Sequence, residues 1–282
     1  MQAALWKVDG KIIDLTRRAL LMGVLNVTLD SFSDGGEFFA TEAAVKHGLA
    51  MAQEGADIID IGGESTRPGA APVSPNDEME RVLPVIEQLV RASIPALISI
   101  DTSKATVARA ALDVGAVIIN DITGGGGDPA MLPLAAEKSA AVILMHMQGT
   151  PATMQTNPSY ADVITEVADF FRQQFAQAVR CGVDPMCIAL DPGIGFGKTV
   201  AHNLDLLANL SRLQVEDRPL VVGVSRKSFL GKIPTQPGDR ISGTIALTSL
   251  LRARGAKVLR VHDVAQNFNA LRTAEAVLAA TR

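Results

Sequence analysis

Eight short apolar runs of β character, each followed by a longer stretch with helical spacing, predict an α/β chain built as a single (β/α)8 TIM barrel. The runs are "ALLMGVLN", "DIIDIG", "ALISID", "AVIIND", "AVILMH", "CIALD", "LVVGVS" and "KVLRVH". Alternation with helical segments implies a parallel sheet, and the apolar character of the runs implies burial on both faces. Eight such units favour a closed barrel over an open, doubly wound sheet.

Taken in order, the chain opens with "LWKVDGKIIDL", whose Asp-Gly pair between apolar residues signals a short N-terminal β-hairpin. The first barrel strand ends at Asn26 and passes into a loop carrying Asp30 and Asp34, then into "TEAAVKHGLAMAQEG". The second stops abruptly at Gly62 and empties into Glu64-Ser65-Thr66-Arg67-Pro68, followed by "PNDEMERVLPVIEQLVRA". The third ends at Asp101 and the fourth at Asn120-Asp121, before a "GGGG" at 124–127 that reads as a flexible loop. His146 closes the fifth run, and "YADVITEVADFFRQQFAQAVRCG" follows it. Asp191 closes the sixth, Ser225-Arg226-Lys227-Ser228 follow the seventh, and Arg260 and His262 lie on the eighth. Glycine repeatedly stands just past a helical run, where a helix ends in a left-handed residue. No linker, charge block or low-complexity stretch breaks the series, so one domain over 1–282 is expected.

The chain has 282 residues, 48% hydrophobic and 20% charged, ordinary for a soluble globular protein. A formal net charge of -4 gives no global basic field to recruit nucleic acid or an anionic membrane, so any anion site must be local. Cys181 and Cys187 match no zinc spacing and are too few for a disulfide framework; they read as reduced packing residues. No apolar run approaches the roughly 18 residues of a membrane span. Lys7, Asp9, Lys11 and Asp14 interrupt what would be a signal-peptide core, so the expected location is cytoplasmic.

In this fold the chemistry sits where the strands end. Every strand delivers a polar group to that rim. Lys227, Arg260 and His262 follow strands seven and eight, the usual phosphate position, and cationic donors there favour an anion. Asp101, Asn120 and Asp191 offer acceptors suited to a flat nitrogen heterocycle with an amino-pyrimidine edge. Each residue alone also has a structural account: Asp191 as a turn residue before Pro-Gly, His146 as a satisfied rim histidine, Asp101 as a cap on the third helix. Three familiar motifs fail. "DPGIGFGKT" has Pro192 where a P-loop needs Gly, "GIGFG" is not G-x-G-x-x-G, and the four histidines show no zinc-hydrolase spacing.

The segments "LNVTLDSFSDGG", "DIIDIGGESTRPGA", "ISIDTSK", "IINDITGG", "LMHMQG", "LDPGIGFGK", "VGVSRKSFLG" and "RVHDV" resemble, in order, the signatures of the dihydropteroate synthase family, from about residue 20 to 265. That resemblance implies a transferase of folate biosynthesis. It would condense 6-hydroxymethyl-7,8-dihydropterin pyrophosphate with 4-aminobenzoate, releasing pyrophosphate, and would be a sulfonamide target because those drugs mimic the aminobenzoate. Carried over by position, Asp101, Asn120, Asp191 and Lys227 would hold the pterin edge, with Arg260 against its face. Arg260, His262 and, through a bound Mg2+, Asn26 would take the pyrophosphate. Phe32, Thr66, Arg67, Pro68, Phe196, Lys227 and Ser228 would form the aminobenzoate pocket, and Asp34, with Lys227, Arg260 and His262, would serve catalysis. The family is commonly a homodimer through its late helices, here around "SGTIALTSLLRARG". One departure stands out: Leu29 occupies a first-loop position where the family usually has proline. A folate-methyl-transferring domain on the same barrel, or a pterin-binding paralogue without catalysis, would share the pterin-edge residues. The methyl-transferring domain leaves "SFSDGG", "STRPG" and "SRKS" unexplained, and the intact polar set disfavours the paralogue.

Overall fold

A computed structural model of the chain describes residues 4–27, 36–66, 70–233 and 240–280. A small antiparallel hairpin, β1 (Leu5–Val8) and β2 (Lys11–Asp14), precedes an eight-stranded parallel sheet. That sheet alternates with helices along the chain: β3 (Leu20–Asn26), α1 (Gly36–Gln53), β4 (Ile58–Gly62), α2 (Pro75–Arg91), β5 (Leu97–Asp101), α3 (Ala105–Asp113), β6 (Ile118–Asp121) and α4 (Met131–Glu137). It continues through β7 (Ala141–Met145), α5 (Val163–Arg180), β8 (Ile188–Asp191), α6 (Val200–Ala208), β9 (Val221–Gly223), α7 (Arg240–Ala253), β10 (Val258–Val261) and α8 (Val264–Ala280).

The strand order β8-β7-β6-β5-β4-β3-β10-β9 closes through a parallel bridge between Leu190 and Leu220, so the sheet is the expected barrel. Leu190 donates its N–H across that seam to Pro219 O at 2.9 Å.

Period-two alternation sorts every strand into two layers. Outward residues such as Ile59, Ile61, Ile98, Ile100, Ile119, Leu144, Leu190 and Leu259 join one apolar cluster with the helices. Inward residues Met22, Ile58, Ile118, Ile143, Ala189, Val221 and Val258 form a second cluster inside the barrel, closed from below by Trp6 and Leu15. The hairpin turns at Asp9 and Gly10, both at positive φ (50° and 70°), the backbone a tight two-residue connection requires. This carries Trp6 under the barrel, fully buried, with its indole N–H donating to Cys187 O at 3.0 Å.

The helices follow from local chemistry. In α2, Ser74 accepts from Asp77 N, Pro75 starts the first turn, and Val82, Val85, Ile86 and Leu89 form one buried stripe at helical spacing. In α5, Asp162 accepts from the Ile164 and Thr165 N–H groups, and Gly182 at φ 95° follows the last turn.

One expectation fails. The "GGGG" loop is braced: buried Asp121 accepts from Thr123 N, Thr123 Oγ1 and Gly125 N, and Thr123 Oγ1 accepts from Gly127 N. A buried carboxylate finds its acceptor partners in loop N–H groups, and that fixes the loop.

Candidate active site

The same alternation that builds the inner core builds the site. Asp60, Asn120, Asp191 and Arg260 each stand two residues beyond an inner-core member, Ile58, Ile118, Ala189 and Val258 respectively. They share its inward face one layer higher. Asp101, in register with Asn120 and Gly62, completes the layer. An apolar plug thus ends in a polar floor at the C-terminal rim.

Arg260 organises that floor. Its Nε donates to Asp60 Oδ2 at 2.6 Å and its Nη2 to Asp101 Oδ2 at 2.6 Å. The arginine stem runs beside Gly223, where a Cβ would meet Arg260 Cβ at 3.6 Å, an ordinary van der Waals contact. Burial opposes the guanidinium charge, but Asp60 and Asp101 outweigh it and raise its pKa. Burial raises Asp101, with Arg260 pulling the other way and the neighbouring carboxylates adding to the rise. Asp101 is therefore no helix cap; the first N–H of α3, on Ala105, is taken by Asp128 Oδ2 instead.

Asp191 is both turn residue and pocket acceptor. Its Oδ1 accepts from Gly193 N at 2.7 Å, a turn that only glycine allows, because φ is 63° and a Cβ would fall 2.0 Å from His146 O. Burial pushes Asp191 up to about 6, against the Gly193 N–H and Lys227. Lys227, after β9, lies with Nζ 4.1 Å over the Phe196 ring. Burial and Arg260 lower its pKa to about 8, while Asp191 and Asp101 support the charge.

His262 shows a subtler picture than a fixed cation. Burial, then Arg260 and Arg226, push it down to about 4, so in the ligand-free site it is a neutral imidazole. Ser225 Oγ accepts from the His262 backbone N–H at 3.1 Å and lies 3.0 Å from Nδ1. With its proton free to reach Nδ1, the hydroxyl leaves the ring proton on Nε2, a donor suited to an anion.

Two residues escaped the sequence reading. Asp60 is fully buried, and its signal was a lone charge on the inward register of an apolar strand. Lys198, closing "GIGFGK", is 3% exposed; its Nζ lies 2.9 Å from His146 Nδ1 and donates to Phe196 O at 3.0 Å. Burial and Lys198 lower His146 to about 3, so the ring accepts from the lysine: a satisfied rim histidine that ties the β7 and β8 loops together.

The crowded loop after β4 is clamped at its base. Glu64 accepts from Val73 N and from Lys104 Nζ (2.7 Å), and Lys104 also reaches buried Glu78 at 2.5 Å. Arg81 Nη1 donates to Gly63 O at 2.8 Å. Thr66 is half-buried beyond this clamp, Phe196 is buried, and Ser228 is exposed on the short 3-10 turn Ser228–Lys232. Phe32, Asp34, Arg67 and Pro68, with Leu29, lie outside the described residues.

A family model described as "Pterin binding enzyme" matches residues 22–262. The dihydropteroate synthase of Escherichia coli K12 is 47% identical over 273 residues, covering 96% of each chain. The chain belongs to the dihydropteroate synthase family. It is accordingly a transferase of folate synthesis. The solved dihydropteroate synthase of Xanthomonas albilineans with 4-aminobenzoic acid is 44% identical, with a TM-score of 0.90 over 99% of both chains. The same enzyme in complex with 7,8-dihydropteroate aligns at 42% identity with a TM-score of 0.86, over 98% of this chain and 99% of that one.

The metal expected of the family has a suitable donor. Asn26 ends β3 in register with Gly62 and is half-buried at the rim. An amide oxygen is a hard ligand, and Mg2+ needs few protein ligands when substrate phosphates and water supply the rest. No cluster of three or more His, Cys, Asp or Glu side chains fit to hold a metal occurs among the described residues.

Proposed function

We propose that the chain condenses 6-hydroxymethyl-7,8-dihydropterin pyrophosphate with 4-aminobenzoate to give 7,8-dihydropteroate and pyrophosphate. The observation that carries this reading is the polar floor itself: three acceptors, Asp101, Asn120 and Asp191, share one inward layer with the cation Arg260, and Lys227, from the loop after β9, brings a second cation that Asp191 and Asp101 support. Such a layer matches the donor edge of a pterin and an attached anion together.

In this scheme Asp101, Asn120, Asp191 and Lys227 hold the heterocycle in the plane that Arg260 faces. Arg260 and the Nε2 proton of His262 bind the pyrophosphate. Asn26 would hold Mg2+, which when bound offsets pyrophosphate charge. As the C–O bond breaks, its electron pair leaves with pyrophosphate, and the cations stabilise that charge in a site sheltered from water. The pterin-methyl cation left behind is delocalised into the ring and stabilised by a carboxylate assigned to Asp34. The neutral arylamine, lodged among Phe32, Thr66, Arg67, Pro68, Phe196, Ser228 and the methylene stem of Lys227, then attacks the methyl carbon.

Sulfonamides, as aminobenzoate mimics, would compete for that last pocket. A homodimer through α7 and α8 fits the exposed Leu250 and Val277 on those helices. No helix among the described residues is long and apolar enough to cross a membrane. The test is pyrophosphate release from the pterin pyrophosphate, with and without 4-aminobenzoate and Mg2+. Release that depends on all three supports the scheme; pterin binding without release would reject it.

A further inference from the structure

Asp60 sits in the middle of β4 between Ile59 and Ile61, fully buried, where an aliphatic residue would pack at less cost. Its Oδ2 accepts from two groups at once, Arg260 Nε at 2.6 Å and Asn120 Nδ2 at 3.0 Å. Its Oδ1 is buried with no hydrogen-bond partner among the described residues. The carboxylate is thus spent on two pocket side chains rather than on the fold, and charged groups kept at such cost mark functional sites.

The geometry has a chemical consequence for Asn120. An amide can present either its NH2 or its carbonyl oxygen, two ends of nearly equal shape. The Asp60 oxygen that faces it already accepts from Arg260, so only the NH2 end can point there. Among the described residues no hydrogen bond engages Asn120 Oδ1, which leaves that oxygen for a ligand. The same carboxylate fixes the guanidinium plane of Arg260, whose second contact, to Asp101 at 2.6 Å, depends on that plane.

We propose that Asp60 is a positioning residue that locks the Asn120 amide with its oxygen toward the pocket, making that position an acceptor and so selecting heterocycles that present an N–H there. The proposal rests on the pterin reading of the pocket given above. A 7,8-dihydropterin carries three donor groups, the 2-amino group, ring N3–H and ring N8–H, against three pocket acceptors, Asp101, Asn120 and Asp191. Were the Asn120 amide free to turn, that match would be lost at one of the three.

The experiment measures, by calorimetry, the affinity of the full chain for 7,8-dihydropterin and for three analogues, each lacking one donor: 2-desamino, N3-methyl, and the oxidised pterin with a bare N8. In the native protein each missing donor should weaken binding, since a buried acceptor is then left unpaired. In Asp60→Asn the penalty of one analogue should shrink by about fivefold or more, while the other two keep theirs. Asn120→Ala should relax the same analogue. A purely structural role would weaken all four ligands alike, and that uniform loss would overturn the proposal. If Asp60→Asn fails to fold, shown by its circular dichroism and melting, Asp60→Ser is measured in its place, with the same outcomes deciding. Failure of the native protein to bind any of the four pterins would reject the pterin reading and this proposal with it; native binding with three unaltered penalties rejects only the role of Asp60.

Discussion

The ammonium of Lys227 stands 4.1 Å above the centre of the Phe196 ring. One side chain therefore borders both proposed subsites: its charge faces the acceptors Asp191 and Asp101, and its stem and ring partner face the arylamine. Lys227→Ala should lose a charge-assisted contact of roughly 1.5–3 kcal/mol and lower kcat/KM at least about tenfold. Lys227→Met, which keeps the stem, should lose pterin affinity while retaining most of the aminobenzoate affinity. Native kinetics in either folded variant would remove Lys227 from the site.

Pterin affinity should be bell-shaped in pH. Burial raises Asp191 to about 6 and lowers Lys227 to about 8. As pH falls toward about 6, Asp101, which burial raises as well, and then Asp191 gain protons and stop accepting as carboxylates; above about 8 the ammonium loses its proton and its charge. Titration of the free enzyme from pH 5 to pH 9 reads both limbs. Lys227→Arg should move only the basic limb upward, and an unmoved limb would assign it to another group.

Asp191 should also limit stability. Its folded pKa of about 6 lies above the ordinary value of about 3.9, so its contribution is fully present below about pH 4 and lost as pH rises through about 6. Asp191→Asn can still accept from Gly193 N, and it should raise the unfolding free energy by up to about 2–3 kcal/mol at pH 8 and by little at pH 4. The same variant should bind pterin poorly. Chemical denaturation at the two pH values checks the difference; an equal gain at both would refute the burial account.

Trp6 closes the base of the barrel, far from the rim, and its indole N–H reaches Cys187 O across the bottom. Trp6→Ala should cost about 3–5 kcal/mol of stability with little change in KM for either substrate in the folded fraction. A large KM change at unchanged stability would show that the hairpin communicates with the site.

Aminobenzoate should bind weakly to the free enzyme and more tightly once Mg2+ and pyrophosphate are present, with a coupling of about 1–3 kcal/mol. Phe32, Arg67 and Pro68 belong to the first and second loops, whereas the anion is assigned to Asn26, Arg260 and His262 at the rim. An anion there supplies the first loop with charged partners before the arylamine arrives. Equal affinity with and without Mg2+ and pyrophosphate would favour a preformed pocket.

By itself the sequence determined the barrel, because eight apolar runs alternating with helical stretches leave few other ways to bury both faces of a parallel sheet. It also located the rim: Asp101, Asn120, Asp191, Lys227, Arg260 and His262 were legible as polar residues at strand ends, and the Asp9-Gly10 hairpin was legible from its turn chemistry. Tertiary structure alone decided which of those polar residues serve the pocket and which serve the fold. Glu64 and Asp121 look as functional as Asp101 in the chain, yet one clamps a loop through Lys104 and the other braces a glycine turn. Asp60 and Lys198 look incidental, yet one holds Arg260 and the other ties two loops through His146. Local sequence sets a side chain's period and polarity, but hydrogen-bond partners 200 and 52 residues away are chosen only when closure of the barrel brings strands into register.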